Sequence, residues 1–327
     1  MAKKVLIRID TPALGDTLCS TPTVRKAFQS YGHKLYIQSG RPDVFERSPY
    51  VEEVYHINDK LNPKDFDEIY DTYSPNVDIR GRKINIKLSN FEARQLHALG
   101  LGLTLYPEEM HYDYFPGEQT KDSKQIGKNC LVFHITDNWP NRTWPKKSWE
   151  RLTSLVKTHT NYKIVTIGKS HTEDTAYGKM AKNIWDLSGI DYNFCDGVEG
   201  DQGHKSQYRP INELWHVLNN AKALISFDAG PVHFAGTTDT HIIQIGASID
   251  PRKTAPYRKG TQDYKFKFVG GDCKLFCATN PKYSVMEHGT INSLPYYPSF
   301  LEGYSRFKCQ PGPDEVFNTI LKNIKNG

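Results

Sequence analysis

The opening residues, MAKKVLIRID, lack the apolar stretch that marks a signal peptide. No apolar run approaches the ~20 residues that span a bilayer, so the sequence reads as a chain that stays in the cytoplasm. Cysteine is sparse, at six in 327 residues. That is no disulfide framework, and a reducing compartment argues against bridges. A strong charge of one sign is also missing. The formal net charge of +5 is mildly basic, which suits an anionic ligand such as a nucleotide or nucleic acid without requiring one. There is no short-period repeat and no low-complexity tract. What remains is 24% charged and 38% hydrophobic, an ordinary globular composition on a chain long enough for two domains.

The order of apolar runs supports two successive α/β units. Val5 to Ile9 reads as a buried strand, followed by a polar turn and a helix from about Asp16. KLYIQS and VEEVYHI read as strands, RPDVFERSP as a short helix, and SNFEARQLHALGL as a longer one. Hydrophobicity falls between residues 116 and 128, where the boundary is expected. The pattern then restarts. NCLVFHIT, YKIVTIG, KALISFD and HIIQIG read as strands. KSWERLTSLVKTH, HTEDTAYGKMAKNI and INELWHVLNNA read as helices between them. The expected division is residues 1–120, residues 128–310, and a final helix in 311–327 that packs back on the first domain.

The first strand-to-helix turn, TPALGDT, lacks Gly-x-Gly-x-x-Gly. It places one glycine, Gly15, directly before a carboxylate, Asp16. A carboxylate repels phosphate, so this turn does not read as a phosphate cradle. Taken alone, Asp16 also reads as the N-cap of the first helix, and the two roles are compatible.

SFDAGPVHFAG is the most informative stretch. A strand ends at Asp228, Ala229 and Gly230 follow, and Pro231 suits a first helical turn. Ligands of open α/β sheets bind beyond the carboxyl ends of strands. Gly230 would admit a phosphate against the backbone, and His233 would donate to it. The plainer reading is Asp228 as a cap and His233 as a packed histidine. Two further loops fall at the same sheet edge. One carries Thr136, Asn138 and Arg142, the hydroxyl, amide and guanidinium that suit a diphosphate. The other, GKSHTED, offers Glu173 or Asp174 to ribose hydroxyls.

IRIDTPALGDTLCSTPTVRK resembles the amino-terminal signature of glycosyltransferase family nine, which includes the ADP-heptose lipopolysaccharide heptosyltransferases. ISFDAGPVHFAGTTDTHIIQIGASIDPRKTAPY resembles the donor-binding signature of that family, and TWPKKSWERL its Trp-Pro-x-x-x-Trp segment. The resemblance implies the GT-B architecture: α/β, with two Rossmann-like domains facing a cleft. The first would bind acceptor and the second the nucleotide sugar, with inversion at the anomeric centre and no catalytic metal. It places the catalytic base on Asp16, with Gly15 and Thr17 on the acceptor side. The donor residues become Thr136, Asn138, Arg142, Glu173, Asp228, Ala229, Gly230 and His233. An ADP-linked, heptose-like sugar is the expected donor and lipopolysaccharide core the default acceptor.

The acceptor has alternatives. A protein side chain or a modified DNA base would also take a sugar, and the run RGRKINIK (Arg80, Arg82, Lys83, Lys87) suits nucleic acid or a plain solvated edge. Lys3, Lys4 and Arg8 do not amount to a membrane patch. A protein that only binds nucleotide sugars is a further reading, but binding alone would not require Asp16. Cys273, Cys277 and Cys309, with His288 as a fourth ligand, suit a structural zinc or iron, or else are reduced thiols. Cys19, Cys130 and Cys195 read as core or incidental residues.

Overall fold

Five β-branched and aliphatic-rich residues, Val5–Ile9, make β1, the strand on which the first sheet is built. The computed structural model describes residues 3–72, 76–79, 82–85, 93–135, 144–168, 187–194, 210–246, 251, 255–256, 258, 265–271 and 310–324. For 76–79, 82–85 and Asp122 it describes the backbone alone. The chain divides into two compact units. One is Met1–Gly117 with Arg252–Asp263, and the other is Glu118–Pro251 with Tyr264–Gly327.

In the first unit β1 is followed by helix α1 (Leu14–Tyr31), then β2 (Leu35–Ser39), β3 (Val51–His56) and β4 (Glu68–Asp71). The sheet order is β3-β2-β1-β4 and every pairing is parallel. RPDVFERSP, expected as a short helix, forms a single 3-10 turn at Pro42–Val44. A hairpin of β5 (Asn76–Ile79) and β6 (Arg82–Asn85) contains part of the basic run, and helix α2 (Ala93–Gly100) packs along α1.

Helix α1 is buried on most of its surface, which dictates its polar chemistry. Pro22 inside it has no N–H to give the Leu18 carbonyl. The Thr21 hydroxyl donates to that carbonyl instead, at 2.8 Å. Thr17 and Ser20 likewise return their hydroxyls to the Ala13 and Thr17 carbonyls. The helix stops at Gly32, whose φ of 72° is open to glycine and lets its N–H close on the Phe28 carbonyl.

The second unit begins with the short helix α3 (Lys121–Gln125), inside the stretch expected to be a linker. Its strands are β7 (Cys130–His134), β8 (Lys163–Ile167), β9 (Tyr192–Asn193), β10 (Ala223–Ser226), β11 (His241–Ile245) and β12 (Phe266–Val269). Helices α4 (Lys146–His159), α5 (Ile211–Asn220), α6 (Gly230–Ala235) and α7 (Pro313–Asn323) complete it. The parallel sheet runs β12-β11-β10-β7-β8-β9. Numbered from β7, that is the 3-2-1-4-5-6 order of a doubly wound dinucleotide-binding fold, read from the β9 edge.

Two expectations are corrected. The last helix, α7, packs within the second unit: Val316, Phe317, Ile320 and Ile324 share one core with Trp149, Leu152 and Val156 of α4. The second domain is not continuous either, since Arg252–Asp263 belongs to the first unit. A polar anchor explains the return: the guanidinium of Arg94, 1 % exposed, donates to the Ala255 carbonyl at 3.2 Å and lies over the Tyr112 ring.

Candidate functional site

Strand order decides where each unit can hold a ligand. A doubly wound sheet opens a crevice beyond the carboxyl ends of the two strands where the winding reverses. In the first unit that point lies between β1 and β4, and in the second between β7 and β10.

Asp16 stands at the first of these points. It is the third residue of α1, half-buried, in a turn that directly follows β1. It is not the N-cap: Ala13 occupies that position with no side-chain bond. A carboxylate in the first turn is favoured by the positive end of the helix. Gly15 is buried beside it. Thr17, expected on the acceptor side, follows Asp16 in the same turn of α1. Its side chain is fully buried and its hydroxyl closes on the Ala13 carbonyl at 3.0 Å, holding the helix start.

The end of β4 completes this point. Thr72 donates its N–H to the Arg8 carbonyl at 2.9 Å, and its hydroxyl lies 3.1 Å from the same oxygen. His97 of α2 reaches it from behind, with Nδ1 3.2 Å from Thr72 Oγ1. Burial pushes the His97 pKa down to about 4, against the pull of the Asp16 and Thr72 main-chain carbonyls that accept from the ring.

At the switch point of the second unit, β10 ends in Ser226, and Phe227 and Asp228 lead to α6. Asp228 is 5 % exposed, with Oδ1 3.8 Å from Nε2 of His233, which is also buried. The N-cap of α6 is Ala229, so Asp228 lies one residue outside the cap and is not the helix cap. Gly230 and Pro231 open the helix. Across the crevice, β7 ends on His134, whose Nδ1 lies 2.9 Å from Ser226 Oγ. Ser226 donates to the Phe227 carbonyl at 3.0 Å, so its oxygen accepts the proton of His134 Nδ1. Burial holds the His134 pKa down at about 4.

Sequence reasoning missed His97 and His134. The signal for His134 was present: a lone imidazole at the carboxyl end of an otherwise apolar strand, CLVFH. Thr136, Asn138, Arg142 and Glu173 lie outside the described residues, as do Cys195, Cys273, Cys277, His288 and Cys309. What frames the Arg142 loop is described. Trp144 and Trp149 meet edge to face with centroids 5.2 Å apart, and Trp149 meets Phe227 at 90°. The Trp-Pro segment therefore ties that loop's end to the residue before Asp228. Cys19 and Cys130 are buried thiols outside any disulfide, Cys19 with its Sγ 3.6 Å from the Tyr112 hydroxyl, and burial pushes Cys130 up to about 12, which leaves it unreactive. Among the described residues no group of three or more His, Cys, Asp or Glu side chains is placed to hold a metal. No described helix is long and apolar enough to cross a membrane.

No protein-family model matches the sequence, and no curated protein sequence matches it. Solved structures do match. The glycosyl transferase family 9 structure from Veillonella parvula aligns over 100% of this chain and 98% of its own, with a TM-score of 0.63 at 12% identity. The dodecameric iron-containing heptosyltransferase TibC of E. coli, in complex with ADP-D-beta-D-heptose, covers 98% of this chain and 76% of its own at 14% identity, with a TM-score of 0.69. E. coli heptosyltransferase WaaC, with ADP-2-deoxy-2-fluoro heptose, covers 87% and 98% at 16% identity, with a TM-score of 0.55. The chain has the GT-B fold of these glycosyltransferases.

Proposed function

We propose that the protein is an inverting glycosyltransferase that moves a heptose-like sugar from an ADP-sugar to an acceptor hydroxyl, by default on lipopolysaccharide core. One observation carries the reading. A carboxylate, Asp16, stands at the switch point of the first unit, in a chain whose fold is shared with heptosyltransferases. The first unit binds the acceptor and the second the donor.

Asp16 takes the proton of the acceptor hydroxyl as its oxygen attacks the anomeric carbon. The new carbon–oxygen bond forms on the face opposite the nucleotide, and ADP leaves with the old bond's electron pair. Arg142 and His233 stabilise the diphosphate charge, with Asp228 orienting the His233 ring from 3.8 Å. Thr136 and Asn138 donate to the same group, Ala229 and Gly230 admit it close to the backbone, and Glu173 holds the ribose. Two similar structures contain ADP-linked heptoses, which supports an ADP-sugar as donor. Three thiolates and an imidazole, Cys273, Cys277, Cys309 and His288, suit a structural zinc or iron, and no step of transfer uses it.

The test has two stages. Calorimetric titration with ADP-heptose and UDP-sugars identifies the nucleotide. Labelled donor is then offered to lipopolysaccharide core, protein and hydroxymethylated DNA, and label in the glycan pool is the expected result. Binding of neither nucleotide sugar would contradict the reading, and label in DNA alone would move the acceptor to nucleic acid.

A further inference from the structure

One imidazole in the first unit joins three elements. His97, on α2, is 2 % exposed. Its ring reaches the main-chain carbonyls of Asp16 in α1 and of Thr72 beyond β4 with the one N–H that a neutral imidazole has to give, and its Nδ1 lies 3.2 Å from Thr72 Oγ1. Thr72 in turn is fixed to the Arg8 carbonyl of β1. These are the elements that form the switch point of the sheet, and His97 reaches both of its walls.

Packing alone does not explain a histidine here. Leu96 and Ala98 beside it are already buried, and a leucine at 97 would fill the space without taking two ring nitrogens out of water. Gly100, one turn further on, brings the helix against the same backbone: a Cβ there would meet the Asp71 carbonyl and Thr72 Cα at 3.4 Å. The ring is neutral at pH 7, so its bonds do not change with small shifts in pH.

We propose that His97 is a positioning residue for Asp16: by holding the Asp16 carbonyl it fixes the first turn of α1 and, with it, the direction of the Asp16 carboxylate. This rests on the reading of Asp16 as the base of transfer. A base must lie within hydrogen-bond reach of the proton it removes, and a displacement of about 1 Å costs about 10²-fold in rate.

The test uses the full chain with ADP-heptose as donor and water as acceptor, read as ADP release. His97→Phe lowers kcat about 10- to 100-fold and leaves the KM for ADP-heptose unchanged. His97→Gln, which keeps an N–H donor at similar reach, recovers part of the loss. In an Asp16→Asn background His97→Phe has no further effect, because it acts through the carboxylate already removed. An equal fold-loss in both backgrounds would overturn the proposal, as would a raised KM with unchanged kcat. Asp16→Asn at the wild-type rate would instead overturn the reading of Asp16 itself. Amide hydrogen exchange gives a second readout that needs no turnover. Faster exchange confined to residues 14–18 of a cooperatively melting His97→Phe supports the proposal, and unchanged exchange there contradicts it. If His97→Phe does not fold, Thr72→Val, which keeps the volume and removes the hydroxyl partner, carries the same two tests.

Discussion

Trp144 donates its indole N–H to the Pro311 carbonyl at 3.1 Å, a bond that spans 167 residues of sequence. It joins the segment before α4 to the segment before α7, and both ends are buried. The bond explains why a Trp-Pro segment lies between a polar loop and a helix: it fixes where the loop ends. Trp144→Phe keeps most of the apolar volume but orphans the carbonyl. The expected loss of stability is about 1–3 kcal/mol, read from the denaturant midpoint at constant slope. An unchanged midpoint would show that water replaces the indole at no cost.

Two of the buried histidines, His97 and His134, give the protein an acid limb. His97 and His134 are each held at about 4 against an ordinary value of 6.5, chiefly by burial. A chain that unfolds regains the ordinary value, so between pH 6.5 and 4 the unfolded state binds more protons than the folded one. Stability is therefore complete above pH 6.5 and falls as the pH drops toward 4, by on the order of 3 kcal/mol per histidine at pH 4. Thermal melts at pH 7, 6 and 5 follow this fall. A melting temperature that stays level down to pH 5 would mean that the rings are protonated in the fold.

Arg142 is expected to hold the donor diphosphate. Arg142→Ala should weaken ADP-heptose binding by roughly 1.5–3 kcal/mol, the usual worth of a charge-assisted contact. Isothermal calorimetry reads it directly, and wild-type affinity in the variant would remove Arg142 from the site.

For the cysteines, elemental analysis of protein purified without a metal column should find about one equivalent of zinc or iron. Cys277→Ser should lose it. Metal-free protein, fresh and reduced, would leave Cys273, Cys277 and Cys309 as ordinary thiols.

Some of this was legible in the residues and some was not, for physical reasons. β1, β7 and β10 are buried at nearly every residue, so they appear as apolar runs, interrupted in β1 by the half-buried Arg8 and ended in β7 and β10 by His134 and Ser226. The turns after β1 and β10 stand out because Gly and Asp interrupt those runs. β4 went unread. It is an edge strand of the first sheet, half-buried, with Glu68 and Asp71 at its ends and only Ile69 and Tyr70 apolar. Its neighbour Thr72, and through it His97, was hidden for the same reason. A histidine in QLHALG looks like any helix residue until β4 is placed beside β1. The return of the chain to the first unit was hidden too, since nothing in PRKTAPY announces that the Ala255 carbonyl meets a buried Arg94 from residues far upstream.

The central claim is that Asp16 is the base of sugar transfer, and one comparison tests it most directly. Asp16→Asn is nearly isosteric but does not accept the proton. Donor affinity by calorimetry and transfer rate by ADP release are measured on the same preparation, with whichever acceptor takes label. The account predicts unchanged ADP-heptose affinity and a transfer rate lower by roughly 10²–10⁴-fold, the share of a general base. Transfer at the wild-type rate would contradict it and leave Asp16 as a first-turn carboxylate that only steadies α1.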